Sequence, residues 1–285
     1  MRMPKFVIAL LLVRTCGASA GDSLVVTDGF HQSDDFTGRK IIATGLMGGI
    51  LAISLVWSYD SWWKDTKEPF HFQSENWLGG EHRGIDKIGH FYTSYFYFHT
   101  FRNVMLWGGY RPSKALWWAA GAAAFFALTV EIGDGLSDIG FDYQDLVFNL
   151  SGLGYAITQT EVPFLKNFNF KWSYVPASGF ELPPRFTRHY DAHTYWLTAN
   201  VHNLLPSSLR TFWPEFLQLA VGYGADNNVT KREGVIGLDF NLGVFCAPNE
   251  DILLVRKTVD MFHIPAPAVK FTEDQKPRYY LFHTN

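Results

Sequence analysis

A chain of 285 residues, 47% hydrophobic and 17% aromatic, is long enough to bury a sizeable core. Only 18% of its positions are charged, against about 25% in ordinary soluble domains, which excludes a disordered, solvating chain. The net charge of −3, with no basic run, excludes nucleic acid as a partner, because phosphate binding needs clustered cations.

The N-terminus reads as an export signal. Arg2 and Lys5 are followed by the apolar stretch Phe6 to Val13 and by the small residues Ala18-Ser19-Ala20. A signal peptide over residues 1–20 is therefore expected, with an uncleaved membrane anchor as the alternative. Cleavage would remove Cys16 and leave Cys246 alone, which is compatible with an oxidising compartment. Arg14-Thr15 ahead of Cys16 makes a poor lipidation box, so no lipid is expected there.

Four helices come next. Ile41 to Trp57 is uncharged, is opened by Arg39-Lys40 and ends at Tyr59, Trp62 and Trp63, the aromatic edge of a membrane-interface segment. Ala115 to Val130 is a second apolar run, rich in alanine. Ile85 to Leu106 and Tyr143 to Ile157 carry charges among their apolar residues, and they fit a four-helix arrangement with polar groups turned inward.

Those polar groups are the candidate chemistry. Asp86 and His90 lie four apart, on one helix face, and so do Asp145 and Asn149. Glu131 and Asp134 end the alanine-rich helix. Converging, Asp86, His90, Glu131 and Asp145 form an oxygen and nitrogen set for a divalent metal cofactor, with His90 or Glu131 as a catalytic general base. The competing reading is a structural polar network of Asp86, Lys87, Asp134, Asp145 and Asn149. In it Asp142 and Asp145 serve a helix N-terminus, and Asp86 pairs with Lys87 or Arg102. A third reading is a small-ligand pocket walled by Tyr92, Tyr95 and Tyr97. No nucleophile elbow, phosphate loop, HExxH or CxxC motif is present.

The order of Trp62-Trp63-Lys64-Asp65, Phe70-His71-Phe72, Glu75-Asn76-Trp77 and Asp86-Lys87-Ile88-Gly89-His90 is similar to that of the YfiM-like bacterial group of predicted periplasmic lipoproteins of unknown function. Glu131-Ile132-Gly133-Asp134-Gly135, Asp145 and Asn149-Leu150-Ser151-Gly152 continue the resemblance, which runs on through Tyr195-Trp196-Leu197 to Ile264-Pro265-Ala266-Pro267. The D-K-x-x-H, E-x-x-D and D-x-x-x-N pattern also resembles the core of VanZ-like membrane proteins. The resemblance implies a bacterial envelope location and no particular reaction; with the export signal and the apolar helices, an exported, periplasmic, membrane-associated protein is expected.

Beyond Pro163 the period changes. Alternation over Tyr195 to His202, Leu217 to Gly224 and Ile236 to Val244 predicts three strands, too few to close a barrel, so a small antiparallel sheet is expected. Ile252, Val255, Val259 and Phe262 recur at helical spacing ahead of Pro265. The expected fold is α+β. A membrane-associated four-helix domain (residues 21–174) leads through a Pro- and Gly-rich linker (175–184) to a sheet-containing region (185–285) with a late amphipathic helix. The leading functional expectation is a structural or interaction protein with membrane lipid and an envelope protein as partners. The alternatives are a membrane-embedded, metal-dependent hydrolase acting on lipid or envelope glycan, and a small-ligand binding protein.

Overall fold

The computed structural model describes residues 28–32, 38–73, 77, 79–176, 179–180, 186 and 189–283. The expected signal peptide, Glu75 and Asn76, and residues 177–178 and 181–184 of the expected linker lie outside the described residues.

Four long helices carry the first half: α1 (Gly38–Ser58), α2 (Ile85–Trp107), α3 (Pro112–Gly135) and α4 (Tyr143–Glu161). A π-helical turn, Tyr59–Trp63, extends α1, and Pro112 opens α3, where its missing N–H costs nothing. The core forms where large side chains of α2 meet small ones of its neighbours. Tyr95, Phe98, Phe101 and Met105 pack with Ala115, Ala119 and Ala123 of α3 and with Leu153 and Ala156 of α4. Each large apolar side chain so buried contributes about 1.5–3 kcal/mol. The closest helix approach is at Gly152 of α4, where a Cβ would overlap the backbone carbonyl of Phe91. The outer faces of α1 and α3 are apolar and uncovered, with Ile53 72% and Trp117 73% exposed. Among the described residues, Gly38–Trp63 and Pro112–Gly135 are the two helices long and apolar enough to cross a bilayer.

The segment 28–32 is clamped onto this bundle. Asp28 pairs with Arg102 at 2.6 Å, Phe30 is buried in the core, and the His31 N–H donates to Glu250 at 2.6 Å. Burial pushes the Asp28 carboxyl up, but Arg102 and Lys257 outweigh it, so Asp28 titrates below its ordinary value of 3.8. A depressed carboxylate stabilises the fold above its unfolded value and loses that contribution as pH falls through its folded value. Asp28→Asn is therefore expected to cost about 2 kcal/mol at neutral pH, with the gap to wild type closing in thermal melts as pH drops below 3.8.

The second half holds a six-stranded antiparallel meander in the order β1 to β6. Its strands are β1 (Phe168–Tyr174), β2 (His193–Ala199), β3 (Leu217–Ala225), β4 (Arg232–Phe240), β5 (Ala266–Thr272) and β6 (Arg278–His283). Among the described residues this half also holds the short helices α5 (Val201–Leu204) and α6 (Glu250–Val259). Asn249 caps α6 by accepting from the Ile252 N–H at 2.9 Å. The three expected strands become six, and two end early. β2 stops at Ala199 and the chain turns into α5. β4 stops at Phe240, where the Asn241 side chain accepts from the Gly243 N–H at 2.9 Å and redirects the chain into a 3₁₀ turn. Cys246 is disulfide-bonded in the full chain, whose sequence still includes Cys16; the expectation that it stands alone applies only after signal cleavage.

The sheet curls strongly. In a flat sheet, β2 and β6 would lie about 19 Å apart at the usual ~4.8 Å per strand. Yet the Trp196 ring of β2 and the His283 ring of β6 are 5.6 Å apart. Likewise Lys171 of β1 pairs with Asp239 of β4 at 2.7 Å. The open edge of β1 is bridged by the chain just before β5, through Trp172 and Phe262.

Candidate functional site

The start of α2 fixes the first two site residues. Gly84, at φ +80°, turns the chain into the helix. Asp86 then falls in its first turn, with His90 one turn further on. Asp142 caps α4, its Oδ1 accepting from the Gln144 N–H at 2.8 Å. Asp145 sits in the first turn of α4, where the helix dipole favours its charge. Because α2 and α4 pack side by side, these two helix starts face each other.

Lys87 joins them. It is 2% exposed, with its ammonium 2.7 Å from Asp142 Oδ2, 2.6 Å from Asp145 Oδ1 and 3.5 Å from Asp86. Burial alone would lower its pKa, but Asp142 and Asp145 hold it well above the ordinary lysine value. Arg102, considered from sequence as a partner for Asp86, pairs with Asp28 instead.

His90 is the centre of the cluster. Its Nδ1 faces Glu131 Oε1 at 3.2 Å and the Asn149 amide nitrogen at 3.1 Å. The Ser94 hydroxyl donates to Asn149 Oδ1 at 2.8 Å, and Asn149 Nδ2 donates to Glu131 at 2.9 Å, which fixes the amide orientation. In the tautomer whose Nδ1–H donates to Glu131, the Asn149 amide is a neighbour of Nδ1 and not its hydrogen-bond partner, and the other nitrogen is directed at two carboxylates. Nε2 lies 3.6 Å from Asp86 and 3.7 Å from Asp145. Burial disfavours a charged imidazole, but Asp145, Asp86 and Glu131 outweigh it and raise the His90 pKa. Burial pushes the Asp145 carboxyl up to about 6, with the Asp86 charge adding to it. For Asp86, burial is outweighed by His90 and Lys87, so it stays ionised.

Asp86, His90 and Asp145 each offer a ligand atom, and these atoms lie within 4.8 Å of one another. One ion could therefore meet all three at the usual 2.0–2.6 Å. Glu131, grouped with them from sequence, instead stands behind His90 on the opposite ring nitrogen. A buried carboxylate holding a ligand histidine in one tautomer is the usual second partner in metal sites. Asp134 is set apart, accepting from the Trp63 indole N–H at 2.7 Å.

The cluster opens into a cavity of about 560 Å³ lined by Asp86, His90 and Asn149 and by aromatic side chains from both halves. Trp57 and Trp62 come from the end of α1, Tyr92, Phe96 and Tyr97 from α2, and Trp172, Tyr190, His193 and Tyr195 from the second half. The Tyr190 hydroxyl donates to Asp86 at 3.2 Å. Of the tyrosines expected to wall a pocket, Tyr92 and Tyr97 line this cavity, whereas Tyr95 lines a separate, polar one with His99 and Arg102. Tyr190, His193 and Trp172 were not legible as site residues, because no spacing links them to Asp86 and only the packing of β1 and β2 on α2 brings them there.

The comparisons with known proteins agree with the envelope setting. No curated protein and no solved structure matches the chain. Residues 74–161 match the family model described as "Predicted periplasmic lipoprotein (DUF2279)". Over that segment, which holds Asp86, His90, Glu131, Asp145 and Asn149, the chain is similar to a family whose description is consistent with an exported, envelope-associated location.

Proposed function

We propose that the protein is a membrane-associated envelope hydrolase that holds a divalent cation on Asp86, His90 Nε2 and Asp145 and acts on a lipid-like, amphipathic substrate. The observation that carries this reading is the convergence of those three ligand atoms beside a large aromatic cavity that Asp86 and His90 line. The carboxylates Asp86, Asp145, Asp142 and Glu131 face one permanent cation, Lys87, and an imidazole, an excess of negative charge that a divalent ion would offset. A bound cation lowers the pKa of water and polarises an ester or phosphoester oxygen. Glu131 keeps the His90 tautomer, Tyr190 supplies a hydroxyl beside Asp86, and the aromatic walls take the apolar part of the substrate and exclude water. A cleaved export signal, kinship with the YfiM-like group, and lipid contact by the outer faces of α1 and α3 belong to the same proposal. Those uncovered faces also leave room for the interaction role expected from sequence, with an envelope protein as partner.

Metal analysis and cation titration of the purified protein test it. Wild type is expected to bind about one equivalent of Zn²⁺, Mn²⁺ or Ca²⁺ and to melt at higher temperature with the ion bound. His90→Ala and Asp145→Asn should each lose that response, together with any hydrolysis of chromogenic acyl esters or phosphoesters. Equal melting of all three proteins with and without each ion would leave only a structural network.

A further inference from the structure

The sheet buries charge on one face and leaves apolar rows bare on the other. On the face turned inward by the curl lie Lys171 and Asp239, 1% and 0% exposed in their side chains, with Thr198, Gln218 and His283, all buried, around a small apolar cluster of Trp196, Ala220, Val235 and Ala268. On the other face, the register aligns Leu197 with Val221, Val221 with Ile236, Ile236 with Val269 and Val269 with Tyr279. Where β1 and β2 meet α2, this apolar face is covered, Phe170 packing on Phe91 and Tyr195 on Tyr92. Beyond the end of β3, where Ala225 is buried and Tyr223 donates to the Arg83 carbonyl, it is bare, with Val221 57%, Ile236 54% and Tyr279 81% exposed. Burying charge while exposing aliphatic rows is unfavourable in water and favourable where the outer medium is hydrocarbon.

Two further features fit a bilayer. β3 and β4 are nine residues long, the length of a tilted membrane-spanning strand. At one end, the turns after β3 and β5 and the first residue of β4 hold charges, among them Lys231 paired with Asp274 at 3.8 Å and Arg232 with Glu273 at 3.5 Å. The strands between them show none on the outer row from Leu197 to Tyr279. We propose that the outer face of β3 to β6 contacts the acyl chains of a lipid bilayer, so that the sheet is a membrane surface in its own right. This stands on the sheet alone and is independent of the metal reading.

The test uses the full chain reconstituted in phosphatidylethanolamine–phosphatidylglycerol vesicles, with an environment-sensitive fluorophore placed in turn through Val221→Cys, Ile236→Cys and Asn228→Cys. Labels at 221 and 236 are expected to lose most of their emission to lipids brominated on the acyl chain and to resist aqueous iodide. The label at 228, in a charged turn, should show the opposite. Quenching of 221 and 236 by iodide alone would overturn the proposal, as would protection from both quenchers with cross-linking between two copies at these positions. Acyl-chain photolabelling of the wild-type chain gives the same answer where a cysteine variant does not fold. Labelled peptides from β3, β4 and β6 support the proposal, and labelling confined to helical peptides overturns it.

Discussion

Lys87→Met is expected to destabilise the protein by about 3–5 kcal/mol, the usual cost of removing one partner from a buried ion cluster. The side chain is almost wholly buried and its ammonium touches Asp142 and Asp145 at 2.7 and 2.6 Å. Methionine fills the volume but leaves two carboxylates facing each other beside Asp86 with only His90 to balance them. Denaturant unfolding would show the loss as a lowered midpoint with an unchanged slope. If the cluster is a cation site, the variant should also become strongly cation-dependent, because a divalent ion can replace the missing charge. Recovery of much of the lost melting temperature in millimolar Ca²⁺ or Mn²⁺ is the expected result. A loss that no cation relieves would mean that Lys87 only ties the starts of α2 and α4 together.

Gly152→Ala is expected to cost about 3 kcal/mol, at the top of the range for overpacking, and to weaken cation binding as well. A methyl group there would overlap the O, C and Cα atoms of Phe91. These are backbone atoms, so no rotamer change relieves the clash, and α4 must move away from α2. His90 immediately precedes Phe91 and Asn149 lies one turn before Gly152, so that movement stretches the Asn149 contacts to His90 and Glu131. Gly154→Ala on the same helix is the control. A Cβ there meets nothing within 4 Å, and alanine in a helix interior should stabilise by up to about 1 kcal/mol. Opposite signs for two glycines two residues apart, read by denaturant unfolding, would establish that contact geometry and not helix propensity sets the effect.

Much of the helical half was legible because its signals are local. Asp86 and His90 share a face at four-residue spacing, and the runs over Ile41 to Trp57 and Ala115 to Val130 fall inside α1 and α3. The end of α3 was less so, because Glu131 and Asp134 read alike in sequence, whereas packing sends one to His90 and the other to Trp63. The sheet was undercounted for a physical reason. Phe168 to Tyr174 alternates cleanly between aromatic and small or charged residues, and it was set with the helices it follows. β5 and β6 are interrupted by a bulge between Ala266 and Ala268, which breaks the period. Alternation also does not say which face is inside. Here the face that carries Lys171 and Asp239 beside Trp196 and Val235 is the buried one, and only the curl of the sheet reveals that.

The cation site is tested most directly by anomalous diffraction from crystals of the protein loaded with Mn²⁺ or Zn²⁺. One peak is expected, within about 2.0–2.6 Å of a carboxylate oxygen of Asp86, of His90 Nε2 and of a carboxylate oxygen of Asp145, with Glu131 still on His90 Nδ1. An empty map at this position in crystals that bind the ion elsewhere would contradict the site and leave the cluster a structural one.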